Sequence, residues 1–396
     1  MKLGENIIAG SGTAPFFLVS NPSDTGLELP QNRRGEAVRT WVRSLSGFQK
    51  EALVVSARSG LMWRLVSDEG KYLSGHDAAP CPLAFLTTGM IASYMNEITA
   101  LAQQNGVTLN KLRLIQNNYY TMKGSMRKRT MTGGALPVEL EVQVDSDLDE
   151  AALNELLMNA VHASPLNGLM RGHLASLFTL TKNGQPLRPA NASALDAAVV
   201  ADHTGDTPEP TPTDLTLIER LGPSPEKAVA KGTNAAASSL TDEQDRTLNP
   251  AAICTLREDG IKEIEQHLYS PHGSIFRFLS EEAPAAGGLG RAPDAVSFIS
   301  AGIGFCFMTQ FGRMASMEAL DLPHYSIVQD THFSLGGASG GTGKAGEADP
   351  VETHVHLVTN ETDEVARDML DVSEQTCFLH AFCRTDLKTR LKVTRV

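Results

Sequence analysis

Residues 297–320, SFISAGIGFCFMTQFGRMASMEAL, are apolar on nearly every side. That pattern predicts a helix over 295–320 that is buried on several sides rather than laid on a surface. Ahead of it, IKEIEQHLY (261–269) and SIFRFLS (274–280) carry β-branched and aromatic residues between glycines and predict two strands. Behind it, YSIVQDTHF (325–333) reads as a third strand. VETHVHLV (351–358) alternates strictly, with Val351, Thr353, Val355 and Leu357 on one face and Glu352, His354 and His356 on the other. This is the signature of a half-buried antiparallel strand with both histidines in solvent. TDEVARDMLDVSEQTCFLHAF (362–382) predicts a second helix, its acids placed at the start as the helix dipole prefers. LKTRLKVT predicts a closing strand.

The same order occurs earlier in the chain. A constant shift of 213 residues superposes Gly47 on Gly260, Arg64 on Arg277, Glu69 on Glu282, Gly89 on Gly302 and Met95 on Met308. The tripeptide PVE at 137–139 falls on PVE at 350–352. About twenty identities, against about eight expected from composition, make this a duplication. Unit one therefore has strands near 50–57 and 61–67, a helix at 82–105, strands at 112–120 and 138–145, a helix at 149–163 and a strand near 175–182. The expected fold class is α+β, two β-β-α-β-β-α-β units packed on each other as an intramolecular pseudo-dimer. Residues 1–188 form unit one, 189–245 a flexible linker rich in Pro, Ala and Thr, and 246–396 unit two. Within the linker, LTLIERL is apolar enough to pack on something.

Composition narrows the function. The 396 residues carry a net charge of −12, which argues against nucleic acid as a partner. The one basic run, MRKRT at 126–130, reads as a solvated loop. No run of 18 apolar residues suggests a membrane span, and MKLGENIIAGSG does not resemble a secretory signal. Five cysteines at irregular spacing do not form a secreted disulfide framework, so a reducing cytoplasm is expected.

Two of those cysteines fall on the repeat. Cys306 lies mid-way along the first helix of unit two and Cys377 near the end of the second; unit one has Ser93 and Ser164 at the same positions. Cysteines on two packed helices can meet, or can be unrelated core thiols. Arg277, with its repeat partner Arg64, sits inside an apolar strand, where a guanidinium needs an anionic partner. Glu281, Glu282 or a thiolate would serve, and a nearby guanidinium would depress a mid-helix cysteine's pKa.

SFISAGIGFCFMTQF and EQTCFLHAF, with AFLTTGMIASYMNEI and NAVHASPLNGLMR as diverged counterparts, resemble the OsmC/Ohr family of osmotically inducible and organic-hydroperoxide-resistance proteins. The resemblance implies a thiol-dependent peroxidase. Cys306 would attack an organic hydroperoxide, Cys377 would resolve the sulfenate as a disulfide, and Arg277 would hold Cys306 as thiolate. Arg64 is the alternative activator, and Glu281 and Glu282 are supporting acids. An external dithiol would reset the pair, with no cofactor and no metal; unit one would complete the site of unit two, and self-association of the chain is compatible. The family's glutamate ten residues ahead of the first cysteine is replaced by Val296. The other reading is a non-catalytic hydrophobic-ligand-binding or redox-sensing protein of the same fold.

Other signals lead elsewhere. GGASGGTGK (336–344) has Ala338 and Ala345 where a phosphate loop needs Gly and Ser or Thr, so it reads as a flexible hairpin loop. Cys377, His380 and Cys383 at three-residue intervals sweep too far round a helix to share a zinc ion. His162 and Ser164 lack the glycines of a nucleophile elbow. Cys81 and Cys254 read as incidental.

Overall fold

The computed structural model describes residues 4–203, 205, 208–227 and 238–396. Among them the strands fall into two sheets, of eight and seven strands. The first sheet is built on Gly35–Ser44, Lys50–Ser56 and Met62–Ser67 of unit one. Next to Gly35–Ser44 it takes His324–Ser334 and Glu352–Val358 from unit two, then returns to unit one with Leu177–Lys182, which runs parallel to Glu352–Val358. The second sheet mirrors this arrangement. Glu243–Leu256, Lys262–Ser270 and Ser274–Ser280 of unit two adjoin Asn110–Ser125 and Thr132–Asp145 of unit one, and Thr389–Arg395 closes parallel to Thr132–Asp145. Each unit thus gives its middle pair of strands to the other's sheet. The α+β pseudo-dimer expected from the repeat is present, in an interlocked form.

Each unit opens with a strand that the sequence pattern did not yield, so the order is β-β-β-α-β-β-α-β. In unit two this strand, Glu243–Leu256, carries Pro250, and pairing slips at Asn249/Pro250. Proline reads as a strand breaker, and a bulge is what admits it beside two neighbours. In unit one, Val38 and Val42 point into the main core while Arg39 and Trp41 point out. Arg39 grips Asp330 of unit two with two hydrogen bonds, 2.8 and 2.7 Å, and so pins the exchanged strand.

Between the sheets lie two long helices, Pro82–Gln104 and Ala295–Glu318, the first and second central helices. The first packs on the second sheet, the second on the first sheet, and they pack on each other. Ala295–Glu318 is long and apolar enough to cross a membrane by length and composition, but its apolar window is wholly buried inside the protein. The helices meet at Gly89 and Gly302, which are repeat partners. A Cβ on Gly302 would lie 2.6 Å from the backbone nitrogen of Leu86, and one on Gly89 2.6 Å from the carbonyl oxygen of Ala295. The helix backbones are in contact there.

The linker is partly built into the fold. Ile218–Pro223 is an edge strand on Ser274–Ser280, with Leu217 and Ile218 buried, and Pro210 bridges to Val19. Residues 204, 206, 207 and 228–237 of the predicted linker lie outside the described residues. His354 and His356 are not solvated as the alternation suggested. His354 is buried, its Nδ1 is 2.8 Å from Thr179 Oγ1, and burial lowers its pKa to about 4. The outer face of this sheet is covered by the segment around Val200.

Gly302→Ala tests the crossing. In a free helix alanine is favoured by about 1 kcal/mol. Here the methyl has only backbone to displace, so a net loss of about 2 kcal/mol is expected by urea denaturation.

Candidate active site

The second helix of unit two is not continuous. Asp363–Thr376 ends at Cys377, which is extended (φ −71°, ψ 120°), and Phe378–Arg384 begins after it. The Cys377 sulfur accepts from the amide of His380 at 3.5 Å, as an N-cap side chain does. This joint turns Cys377 toward the second central helix, where its Sγ lies 3.5 Å from Cys306 Sγ. Unit one has the same joint at Ser164, after Glu150–Ala163, and Ser93 and Ser164 are hydrogen-bonded at 2.8 Å. The repeat thus brings the two positions together twice, once as thiols and once as hydroxyls.

Neither predicted activator is at the thiols. Arg277 alternates with Phe276 and Phe278, which fill the core, so it points the other way and pairs with Glu219 at 2.7 Å. Arg64 likewise faces outward between Trp63 and Leu65. It pairs with Glu51 at 2.5 Å and lies over the Phe17 ring. Of the predicted supporting acids, Glu281 pairs with Arg291 at 2.6 Å, while Glu282 accepts from Asn96 at 2.7 Å in the serine half.

The groups that surround Cys306 come from both units. A small, narrow cavity is lined by Cys306, Thr309, Gln310 and Arg313 of the second central helix, by Arg246 and Phe378, and by Glu69, Tyr72 and Cys81 of unit one. Glu69 accepts from Tyr72 at 2.7 Å and from Thr309 at 3.0 Å. It is the repeat partner of Glu282, as Thr309 is of Asn96. Lys50 lies behind it, fully buried, donating to the carbonyl of Phe48 at 2.6 Å. Lys50 pairs with Ser67 and Lys262 with Ser280. Lys50 and Lys262 are thus structural counterparts one residue out of the constant spacing, because the two hairpins differ by a residue. That slip hid the lysines from the repeat, whereas Glu69 and Glu282 were visible in it.

Burial dominates the electrostatics. It pushes the Cys306 thiol well above its ordinary value, with Cys377 and the charge of Glu69 adding to the shift and the Leu379 amide opposing it. Burial also raises Glu69, against Lys50 and the bonds from Tyr72 and Thr309, and lowers Lys50, against Glu69 and Asp68. Cys81 is raised to about 12 by burial. At neutral pH Cys306 and Cys81 therefore rest as thiols.

The corresponding small cavity beside Ser93 is mostly acidic: Glu36, Glu97, Glu282 and Asp294 line it, with Arg58 among them. Burial and then neighbouring acids raise Glu36 to about 7 and Asp294 to about 6. The glycine-rich loop folds over this cavity, with the amides of Ala338 and Ser339 donating to Glu97 at 2.8 and 3.1 Å. The His380 ring packs on Phe178 and Phe307 instead of joining Cys377 and Cys383 in a ligand set. Asp330, His332 and Glu352 do come together, a cluster the sequence pattern did not suggest, but Arg39 and Arg33 already hold its carboxylates.

A family model for OsmC-like proteins matches residues 288–392. Among solved structures, an OsmC-like hydroperoxide resistance protein from Jannaschia sp. CCS1 is similar at 17% identity over 32% of this chain and 79% of that one, with a TM-score of 0.18. No curated protein matches the chain. The matched stretch runs from the loop before the second central helix to the last strand and contains both paired cysteines, so the similarity to OsmC-like proteins lies in unit two.

Proposed function

We propose that the chain is a thiol-dependent peroxidase acting on organic hydroperoxides, with one working site in unit two. The observation that carries this reading is the Cys306–Cys377 sulfur contact of 3.5 Å on the wall of a largely apolar cavity. A disulfide needs about 2 Å between sulfurs. Cys377 sits at the joint between two helices, where a small backbone adjustment closes the gap.

The chemistry balances in three steps. The Cys306 thiolate attacks the O–O bond, so the sulfur becomes a sulfenic acid and the peroxide leaves as its alcohol. The Cys377 thiol then attacks that sulfur and water departs, leaving the Cys306–Cys377 disulfide. An external dithiol takes over the disulfide by exchange and restores both thiols. Leu83, Leu248 and Leu268 on the cavity wall favour an organic hydroperoxide over hydrogen peroxide. The cycle requires a reducing, cytoplasmic compartment and no cofactor. The cavity's walls come from both units, which supports reading unit one as the partner that completes the site.

The raised Cys306 thiol favours a second reading, a redox-sensing or ligand-binding module in which the disulfide forms slowly and once. Rate separates the two. Reduced protein given one equivalent of cumene hydroperoxide is expected to form the Cys306–Cys377 disulfide within seconds, as mapped by mass spectrometry, and Cys306→Ser to abolish it. Thiols left unreacted after minutes sink the peroxidase reading.

The pH dependence follows from the direction of the shift. The attacking species is the thiolate, and a raised pKa leaves it scarce at pH 7. Alkylation of Cys306 and peroxide consumption should both climb about tenfold per pH unit from 7 to 9. A plateau already reached at pH 7 would show a thiolate at rest and contradict the burial argument.

A further inference from the structure

Two buried guanidiniums, Arg246 on Glu243–Leu256 and Arg313 on the second central helix, lack the anion that burial demands. Arg313 is 2% exposed; its Nε donates to the Ser239 carbonyl at 2.9 Å and its Nη groups reach only the sulfurs of Met122 and Met131, which are weak acceptors. Arg246 is 6% exposed and its Nε has no partner among the described residues. Neither forms an ion pair with a described residue. Residues 228–237, AVAKGTNAAA, contain no acid that could serve them. Burial lowers Arg246 to about 10 and, with the charge of Arg246, Arg313 to about 9, so both stay cationic at neutral pH. The one carboxyl beside them, Glu69, already serves Tyr72 and Thr309 and is set against Lys50. Two more buried atoms at the same place, Ser239 Oγ and Gln310 Oε1, also have no partner among the described residues. A hydroxyl can donate, and a side-chain amide turned about its last bond presents its NH₂ instead of its oxygen.

We infer that Arg246 and Arg313, with Ser239 and Gln310, hold one halide-sized inorganic anion, of which chloride is the type. The free space here is about 30 Å³. That is room for a particle the size of a water molecule or of a single halide ion, and too little for a polyatomic ligand with a chain. The four side chains offer donors from three sides, and a buried anion gains most from charge-assisted donors where water is excluded. Lys50, Arg246 and Arg313 against Asp68 and Glu69 leave one positive charge in excess when all are ionised, which one monovalent anion balances. Arg313 is seven residues from Cys306, two turns or about 10 Å along one helix face. The anion thus sits along the helix from the sulfurs, and its role is to neutralise a buried charge. The site stands whether or not Cys306 turns over a peroxide.

The test uses the full reduced chain in chloride-free buffer. Thermal unfolding is followed while sodium chloride, sodium bromide or sodium gluconate is added at matched ionic strength, and crystals grown in bromide are examined by anomalous diffraction. Chloride and bromide are expected to raise the unfolding midpoint along a saturable curve, as a ligand of the folded state does, and gluconate, too large for the space, is not. One bromide peak is expected between the two guanidiniums. Arg246→Gln should weaken chloride at least tenfold, while Cys306→Ser keeps the chloride curve of the unmodified chain. That last variant separates this site from the peroxidase reading, because it abolishes the one and leaves the other. An equal effect of gluconate would mean general screening and overturns the site, as does the absence of a bromide peak at the arginines. Undiminished chloride binding in a folded Arg246→Gln overturns it too. Should that variant not fold, the bromide position in the unmodified chain decides.

Discussion

The structure depends on the contact of two helix backbones at Gly89 and Gly302. Neither central helix has a polar face to give to water, so each must be covered on one side by a sheet and on the other by its partner. Glycine at the crossing lets the two come close enough to exclude solvent between them. That closeness also fixes how far the groups of unit one reach toward Cys306. Glu69 can bond Thr309 across the units because the helices in between are pressed together. Core packing and the site's geometry are therefore one constraint.

The thiol pair depends on a second local feature, the interruption of a helix by one extended residue. An unbroken helix through 362–382 would carry Cys377 past the central helix at an angle set by its 3.6-residue period. The break frees its direction, and the His380 amide of the following turn donates to its sulfur as to a cap. Around Cys306, burial keeps its thiol neutral, with Lys50 and Glu69 set against each other. Such a site makes deprotonation of Cys306 the step to be overcome.

Much of this was legible in the sequence. The apolar helix, the repeat and its two residue pairs 71 apart follow from pattern and spacing alone, and in the structure the members of each pair touch. The direction of Arg277 was not. In SIFRFLS both alternating faces are apolar apart from that residue, so periodicity marks a strand without saying which face is core. Exchange of strands between units is also invisible to local pattern, since a strand reads alike beside either neighbour. Arg246 was hidden for a different reason: its strand holds Pro250, and the bulge that accommodates the proline is a property of the sheet. Lys50 escaped because a one-residue difference in a hairpin displaced it from its counterpart.

Joining both units in one chain releases them from identity. Two copies of one polypeptide must carry the same charges at both of their symmetry-related cavities, and the field across the axis then cancels. Here the cysteine cavity is lined by Arg246 and Arg313 and the serine cavity by Glu36, Glu97, Glu282 and Asp294. The molecule consequently carries a difference in charge between two hollows at corresponding positions. That is a polarity no symmetric dimer of this architecture can have.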